Sequence, residues 1–161
     1  MARPTEIASL TGEQPFAEAG AEVLEARAAD LLSHRDRILD VNDIEGVHAT
    51  RVASRRLRAA LEVFAVCFPR RPYKRLLKQV NELADALGER RDRDVAIGAL
   101  LQFAAAIPEA DRAGVDSLAE RLRTEQRRAN DDLAPFVQPE RLDGLHAAAS
   151  ALAEQAREQN R

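Results

Sequence analysis

Apolar residues recur every three or four positions along most of this 161-residue chain, and this spacing constrains the fold more than any other feature. Leu76, Val80, Leu83 and Leu87 form one such stripe. Because an α-helix completes a turn in about 3.6 residues, side chains with this spacing lie on one helix face. No segment alternates apolar and polar residues for long enough to indicate a strand, and Gly and Pro number only 7 each. The sequence therefore predicts an all-α fold.

Turn-forming and capping residues divide the chain into about five to six helices. Asn42 and Asp43 offer an N-cap for the second helix. Gly88 is suited to a C-terminal cap and Asp92 to an N-cap, which would separate the third helix from the fourth. The predicted helices cover residues 15–39, 44–68, 72–87, 92–107, 111–134 and 139 onward. Short connections between long amphipathic helices indicate an antiparallel bundle.

The length and composition of the chain indicate one folded domain. Residues 1–14 combine Pro, Thr, Ser and Gly and are expected to be a flexible leader before a single domain over residues 15–161. No apolar run approaches the ~20 residues of a membrane-spanning helix. The first ten residues also lack the apolar segment of a secretory signal. We therefore expect no membrane partner and a cytoplasmic location.

Basic residues are concentrated in the middle of a chain whose formal net charge is -3. Residues 47–94 contain 12 of the 24 Lys and Arg but only 6 of the 27 acidic residues. Such a distribution favours one local site for an anion over a surface that is basic throughout. A generic nucleic-acid binder is more often basic everywhere, and no aromatic residue interleaves with these arginines to stack bases. The pattern therefore argues against nucleic acid as the partner.

The predicted second helix has a row of basic side chains on one face. At about 100° per residue, Arg51, Arg55 and Arg58 all fall within about 80° of His48. We call His48, Arg51, Arg55 and Arg58 the basic ridge. The apolar residues on the opposite side of this helix are Leu57, Leu61, Phe64 and Phe68. Because the apolar side must face the core, the basic ridge is expected to face outward or into a wet groove.

The basic ridge suits an extended anion with many evenly spaced charges. It spans roughly 15 Å along the helix axis. Arginine donates two parallel hydrogen bonds to phosphate oxygens, and histidine donates from either ring nitrogen. Lys74, Lys78 and Arg91 are second-rank candidates for the same ligand. The alternative interpretation is that the arginines are a solvated face, paired with acidic residues of neighbouring helices.

Two motifs, and a third stretch that follows them, resemble the CHAD family, the conserved histidine α-helical domain. Residues 47–64 follow the pattern Val-His-x-x-Arg-Val-x-x-Arg-Arg-Leu-Arg-x-x-Leu-x-x-Phe. Residues 87–95 follow Leu-Gly-x-x-Arg-Asp-x-Asp-Val, and residues 127–145 are similar to the helix and turn that come next in the family. The resemblance implies a helical domain that binds inorganic polyphosphate through a basic surface. The chain departs from the family pattern in length, because CHAD domains contain two similar helical halves and only the first is visible here.

A homodimer is expected on this basis, because a second copy would supply the missing half. The sequence-based reason is apolar surface without an obvious partner in one short chain. The residues concerned are Leu133, Phe136, Val137, Leu142 and Leu145. The alternative is that these residues close the bundle of the single chain.

The sequence therefore favours non-catalytic binding of inorganic polyphosphate or a similar polyanion. The alternative is a helical adaptor that docks on an acidic partner protein. Asp92 and Asp94 are interpreted as an N-cap and a first-turn acid that suits the helix dipole or holds Arg91, so no metal site is expected. We also expect no cofactor and no enzymatic activity, since no general base stands near a nucleophile in any recognisable motif.

Overall fold

The structure, a computed structural model, describes residues 4–159, and five α-helices joined by short 3₁₀ turns account for most of them. The described part of the chain contains no strand, so the prediction of an all-α bundle is confirmed. The helices are α1 (Phe16–Leu32), α2 (Ile44–Val63), α3 (Arg70–Ala106), α4 (Arg112–Leu133) and α5 (Pro139–Gln159). The number of helices agrees with the prediction of five to six.

The start of α2 and the end of α4 follow the capping rules read from the sequence. Asp43 precedes α2, and its Oδ1 accepts a hydrogen bond of 3.2 Å from the backbone N–H of Gly46. This bond satisfies one of the amides left without a partner at a helix start. Helix α4 ends at Leu133, immediately before a 3₁₀ turn that contains Pro135. Helix α1 ends at Leu32 rather than at Leu39, because residues 35–37 form a separate 3₁₀ turn. Helix α2 ends at Val63 rather than at Phe68, because residues 65–67 form a separate 3₁₀ turn.

Helix α3 contradicts the predicted break at Gly88. It runs without interruption for 37 residues, so neither Gly88 nor Asp92 caps a helix. No glycine among the described residues has a positive φ, and Gly88 therefore lacks the left-handed conformation of a C-terminal cap. The inward face continues past Gly88, because Leu87, Arg90 and Asp94 are all buried. A glycine inside a helix is tolerated when tertiary packing holds both sides of it.

The five helices enclose one core. Helix α1 packs against α2 and α5, and α3 packs against α2, α4 and α5. The fully buried side chains at the centre include Leu24, Leu31, Leu57, Leu61 and Leu87. These contacts fix α2 between α1 and α3, so only its outer face is open to solvent.

The apolar residues that the sequence left without a partner close the chain's own bundle. Leu133, Val137, Leu142 and Leu145 are each 7% exposed or less. Phe136 is half-buried and packs against the same core. The expectation of residual apolar surface at these positions is therefore wrong, because α3 and α1 cover α5 and the turn before it. The expectation of a homodimer then rests only on the two-half architecture that the family resemblance implies.

Hydrogen bonds attach the residues before α1 to that helix. The Thr5 hydroxyl bonds to the Asp30 carboxylate, and Arg27 Nη1 donates to the Thr5 carbonyl over 3.1 Å. Ser9 and Gln14 both donate to Glu22, over 2.6 and 2.7 Å. The predicted leader covers residues 1–14, of which residues 1–3 lie outside the described part. Its flexibility stays a prediction.

Candidate polyanion-binding surface

Helix α2 presents the basic ridge to solvent because its opposite face is fixed in the core. Leu57 and Leu61 are 0% exposed. Arg55 is exposed, whereas His48, Arg51 and Arg58 are half-buried. The apolar stems of the arginines can therefore lie along the helix surface while their guanidinium groups stay in water. The structure thus brings the four residues together on one face of one helix.

Arg51 lies in the groove between α2 and α3. Its Nε atom is 3.9 Å from the position that a Cβ atom would occupy at Gly88. Gly88 is half-buried inside α3, and the Arg51 guanidinium group lies over this part of the α3 backbone. The glycine that the sequence suggested as a helix cap therefore borders the basic ridge instead.

Within the described part of the chain, no ridge arginine pairs with an acidic residue of a neighbouring helix. Among residues 4–159, Arg51 and Arg55 make no hydrogen bond or ion pair through their side chains. Arg58 Nε lies 4.0 Å from Oε1 of Glu62, one turn further along α2. Such a solvated pair is weak, worth about 0.5 kcal/mol or less. The alternative of an ion-paired structural face thus finds little support at these positions.

Arg55, Arg56 and Arg58 line an open depression on the surface of α2. Its volume is about 380 Å³, and its charged lining consists of Arg55, Arg56, Arg58 and Glu62. Arg56 also borders a mostly apolar groove toward α1, beside Val23 and Phe64. Three guanidinium groups around one hollow provide many N–H donors, which suits a tetrahedral oxyanion.

The second-rank candidates occupy different parts of the molecule. Arg91 Nη1 donates a hydrogen bond of 3.4 Å to the Ile44 carbonyl at the start of α2, and it therefore lies beside the His48 end of the ridge. Lys74 is exposed on α3, about 40° around the helix from Gly88.

Lys78 faces away from α2. It pairs with Glu82 over 3.7 Å, and Glu82 lies equally far from Arg141 at the start of α5. The structure therefore brings Arg91 to the basic ridge and separates Lys78 from it.

A buried polar cluster behind this surface was not anticipated. Arg90 Nη2 lies 3.3 Å from Asp94 Oδ1, and Gln126 of α4 donates to the same oxygen over 2.6 Å. Burial lowers the pKa of the Arg90 guanidinium, and the Asp94 carboxylate opposes that shift. The interpretation of Asp94 as a partner of Arg91 is wrong, because its partner is Arg90. The spacing of four residues was the only sequence signal for this pair.

Residues 4–159 contain neither a helix that could span a membrane nor a cluster that could hold a metal ion. No helix there is long and apolar enough to cross a membrane. Within the same residues, no group of three or more His, Cys, Asp or Glu side chains is placed to hold a metal ion. Cys67 is a half-buried free thiol that packs against the core, and burial raises its pKa.

Comparison with known proteins supports the resemblance found in the sequence. A family model described as the CHAD domain matches residues 22–161. The match extends from within α1 to the end of the chain and includes both motifs that resemble the family, residues 47–64 and 87–95. No curated protein and no solved structure matches the chain. On the extent of the family match, the chain belongs to the CHAD domain family.

Proposed function

We propose that this protein binds inorganic polyphosphate through His48, Arg51, Arg55 and Arg58, without catalysing a reaction on it. CHAD domains are known in general as non-catalytic, polyphosphate-binding domains. The supporting observation in this chain is that Arg51 and Arg55 have no carboxylate partner among residues 4–159. Neighbouring arginines on one helix repel each other, and a bound anion would relieve that repulsion along the whole ridge.

The arrangement fits a linear anion that lies along α2. The ridge rises roughly 15 Å from His48 to Arg58, so several phosphate groups would contact it at once. The forked guanidinium groups of Arg51 and Arg55 would each bind phosphate oxygens through two N–H groups. Arg91 would extend the positive field at the His48 end. Lys74 and Lys78 would act mainly through their charge, because an ammonium group lacks the forked donor geometry of a guanidinium group.

Calorimetry with long-chain polyphosphate tests the proposal directly. Binding should be tight at low salt and weaken steeply as salt is added, by analogy with the counterions that DNA releases to a cationic protein. Orthophosphate alone should bind much more weakly, because it contacts one or two arginines at a time. If long-chain polyphosphate does not bind even at low salt, the proposed function is wrong.

An adaptor that docks on an acidic partner protein is the competing proposal. It is favoured by the apolar groove beside Arg56, which a partner side chain would fill next to the basic ridge. The two proposals predict different results when polyphosphate competes with a protein partner for the basic ridge. Polyphosphate should displace every ligand of the ridge if it is the natural one, whereas an adaptor would retain its protein partner in a pull-down with excess polyphosphate.

The homodimer and the cytoplasmic location stay predictions. Light scattering at micromolar concentration measures the first, and a mass near 17.8 kDa with and without polyphosphate would contradict it.

A further inference from the structure

An acidic residue follows the basic ridge on the same face of α2. Successive ridge residues are three or four positions apart, and the next position in that series is Glu62. On a helical wheel Glu62 lies about 40° from His48, on the same side as Arg51, Arg55 and Arg58. Glu62 therefore occupies the place of a fifth ridge residue with the opposite charge.

The contacts of Glu62 agree with this position. It lines the same depression as Arg55, Arg56 and Arg58. Its Oε1 atom is 4.0 Å from Arg58 Nε, and the two side chains are 59% and 39% exposed. The pair is thus solvated and loose, and Glu62 makes no other ion pair within residues 4–159. Its carboxylate contributes little to the fold but lies directly in the path of an anion along α2.

Two electrostatic effects follow for a bound phosphate chain. The carboxylate repels any phosphate that extends beyond Arg58, over a distance shorter than the roughly 8 Å screening length at physiological salt. It also competes with phosphate for the Arg58 guanidinium. Both effects are strongest at the Val63 end of the helix and weakest at the His48 end.

We propose that Glu62 terminates the polyphosphate path on α2 and so sets how many phosphates the ridge holds. This inference rests on the proposed function. Glu62 borders the basic ridge but does not bind the phosphate chain itself. Replacing the carboxylate by a neutral amide removes the barrier, and replacing it by a lysine extends the ridge by one cation.

Three proteins test the inference by calorimetry with long-chain polyphosphate at several salt concentrations: the wild type, Glu62→Gln and Glu62→Lys. Glu62→Gln should bind several-fold more tightly, because Arg58 becomes fully available. Glu62→Lys should bind more tightly still, and its affinity should depend more steeply on salt, by about one unit of logarithmic slope for one added contact. In both variants, the shortest polyphosphate that reaches full affinity should be longer than the shortest one for the wild type.

Glu154→Gln and Glu154→Lys are the matched controls. Glu154 is exposed on α5, so these variants change the net charge equally without touching α2. Circular dichroism checks that all variants remain helical. Equal effects at the two positions would show a general charge effect and overturn the inference, as would an unchanged slope in Glu62→Lys. A wild type that does not bind would instead overturn the proposed function, which separates the two failures.

Discussion

Arg90 and Asp94 form an ion pair inside the protein, one turn apart on α3, with both side chains 0% exposed. Gln126 of α4 donates a hydrogen bond to Asp94, so this bond links the buried pair on α3 to α4. Arg90 follows directly on Glu89, and its neighbour Arg91 reaches across to the start of α2. The buried pair therefore lies on the same stretch of α3 as Arg91, which borders the basic ridge.

Breaking this pair should destabilise the fold. Asp94→Asn leaves a buried guanidinium without a compensating charge, which typically costs about 3–5 kcal/mol. Urea unfolding of Asp94→Asn and of Arg90→Met measures the loss. The double variant Arg90→Met/Asp94→Leu should lose much less than the sum of the two single changes, because no charge is left unpaired. A loss below ~1 kcal/mol in both single variants would show that the pair is not buried as described.

Gly88→Ala should stabilise the protein. Gly88 lies inside α3, and an added Cβ would meet only Arg51 Nε at 3.9 Å, an ordinary contact. Alanine in place of glycine in a helix interior gains about 0.5–1 kcal/mol. Gly144→Ala in α5 is a suitable comparison, because nothing lies within 4 Å of its added Cβ. Destabilisation by Gly88→Ala alone would indicate that Gly88 caps a helix after all.

Gly46→Ala should have the opposite effect. A Cβ at this position in the first turn of α2 would lie 2.3 Å from the Arg37 carbonyl oxygen, which belongs to the backbone. Relief requires a shift of the 3₁₀ turn that precedes α2, at a cost of about 1–3 kcal/mol. Thermal unfolding measures this cost. An unchanged melting temperature would contradict the close packing of residues 35–37 on α2.

Acid should weaken the start of α2 through Asp43. Hydrogen bonds of 2.6 and 3.0 Å from Arg37 lower the pKa of the Asp43 carboxyl below its ordinary 3.8, and the Gly46 amide adds to this shift. A lowered pKa in the folded state means that the stabilisation is complete above the unfolded pKa and is lost as pH falls through the folded one. Thermal unfolding from neutral pH into this range should show the loss, and Asp43→Asn should depend less on pH there. An identical acid dependence in both proteins would contradict the assignment.

Local periodicity was enough to predict the helix faces and the basic ridge, but not the contacts between one helix and another. The faces of α2 follow from spacing alone, so Leu57 inside and Arg55 outside were predictable. The continuity of α3 was not, because Gly88 is a plausible cap in isolation and the stripe beyond it contains Arg90, a residue type seldom buried. The Asp94 contact with Gln126 spans 32 residues and has no local signal. Periodicity likewise placed Leu142 and Leu145 on an apolar helix face, but it could not show that other helices of the same chain cover them.

Neutralising the basic ridge should remove most of the affinity for polyphosphate and most of its salt dependence. Arg51→Gln/Arg55→Gln/Arg58→Gln removes three charges from α2. Arg121→Gln/Arg127→Gln/Arg128→Gln removes three from the exposed surface of α4. Only the α2 variant should lose most of its affinity at low salt, with a salt slope smaller by about three units, while both proteins stay folded. Equal losses in the two variants, or an α2 variant that binds like the wild type, would show that polyphosphate does not bind along the basic ridge.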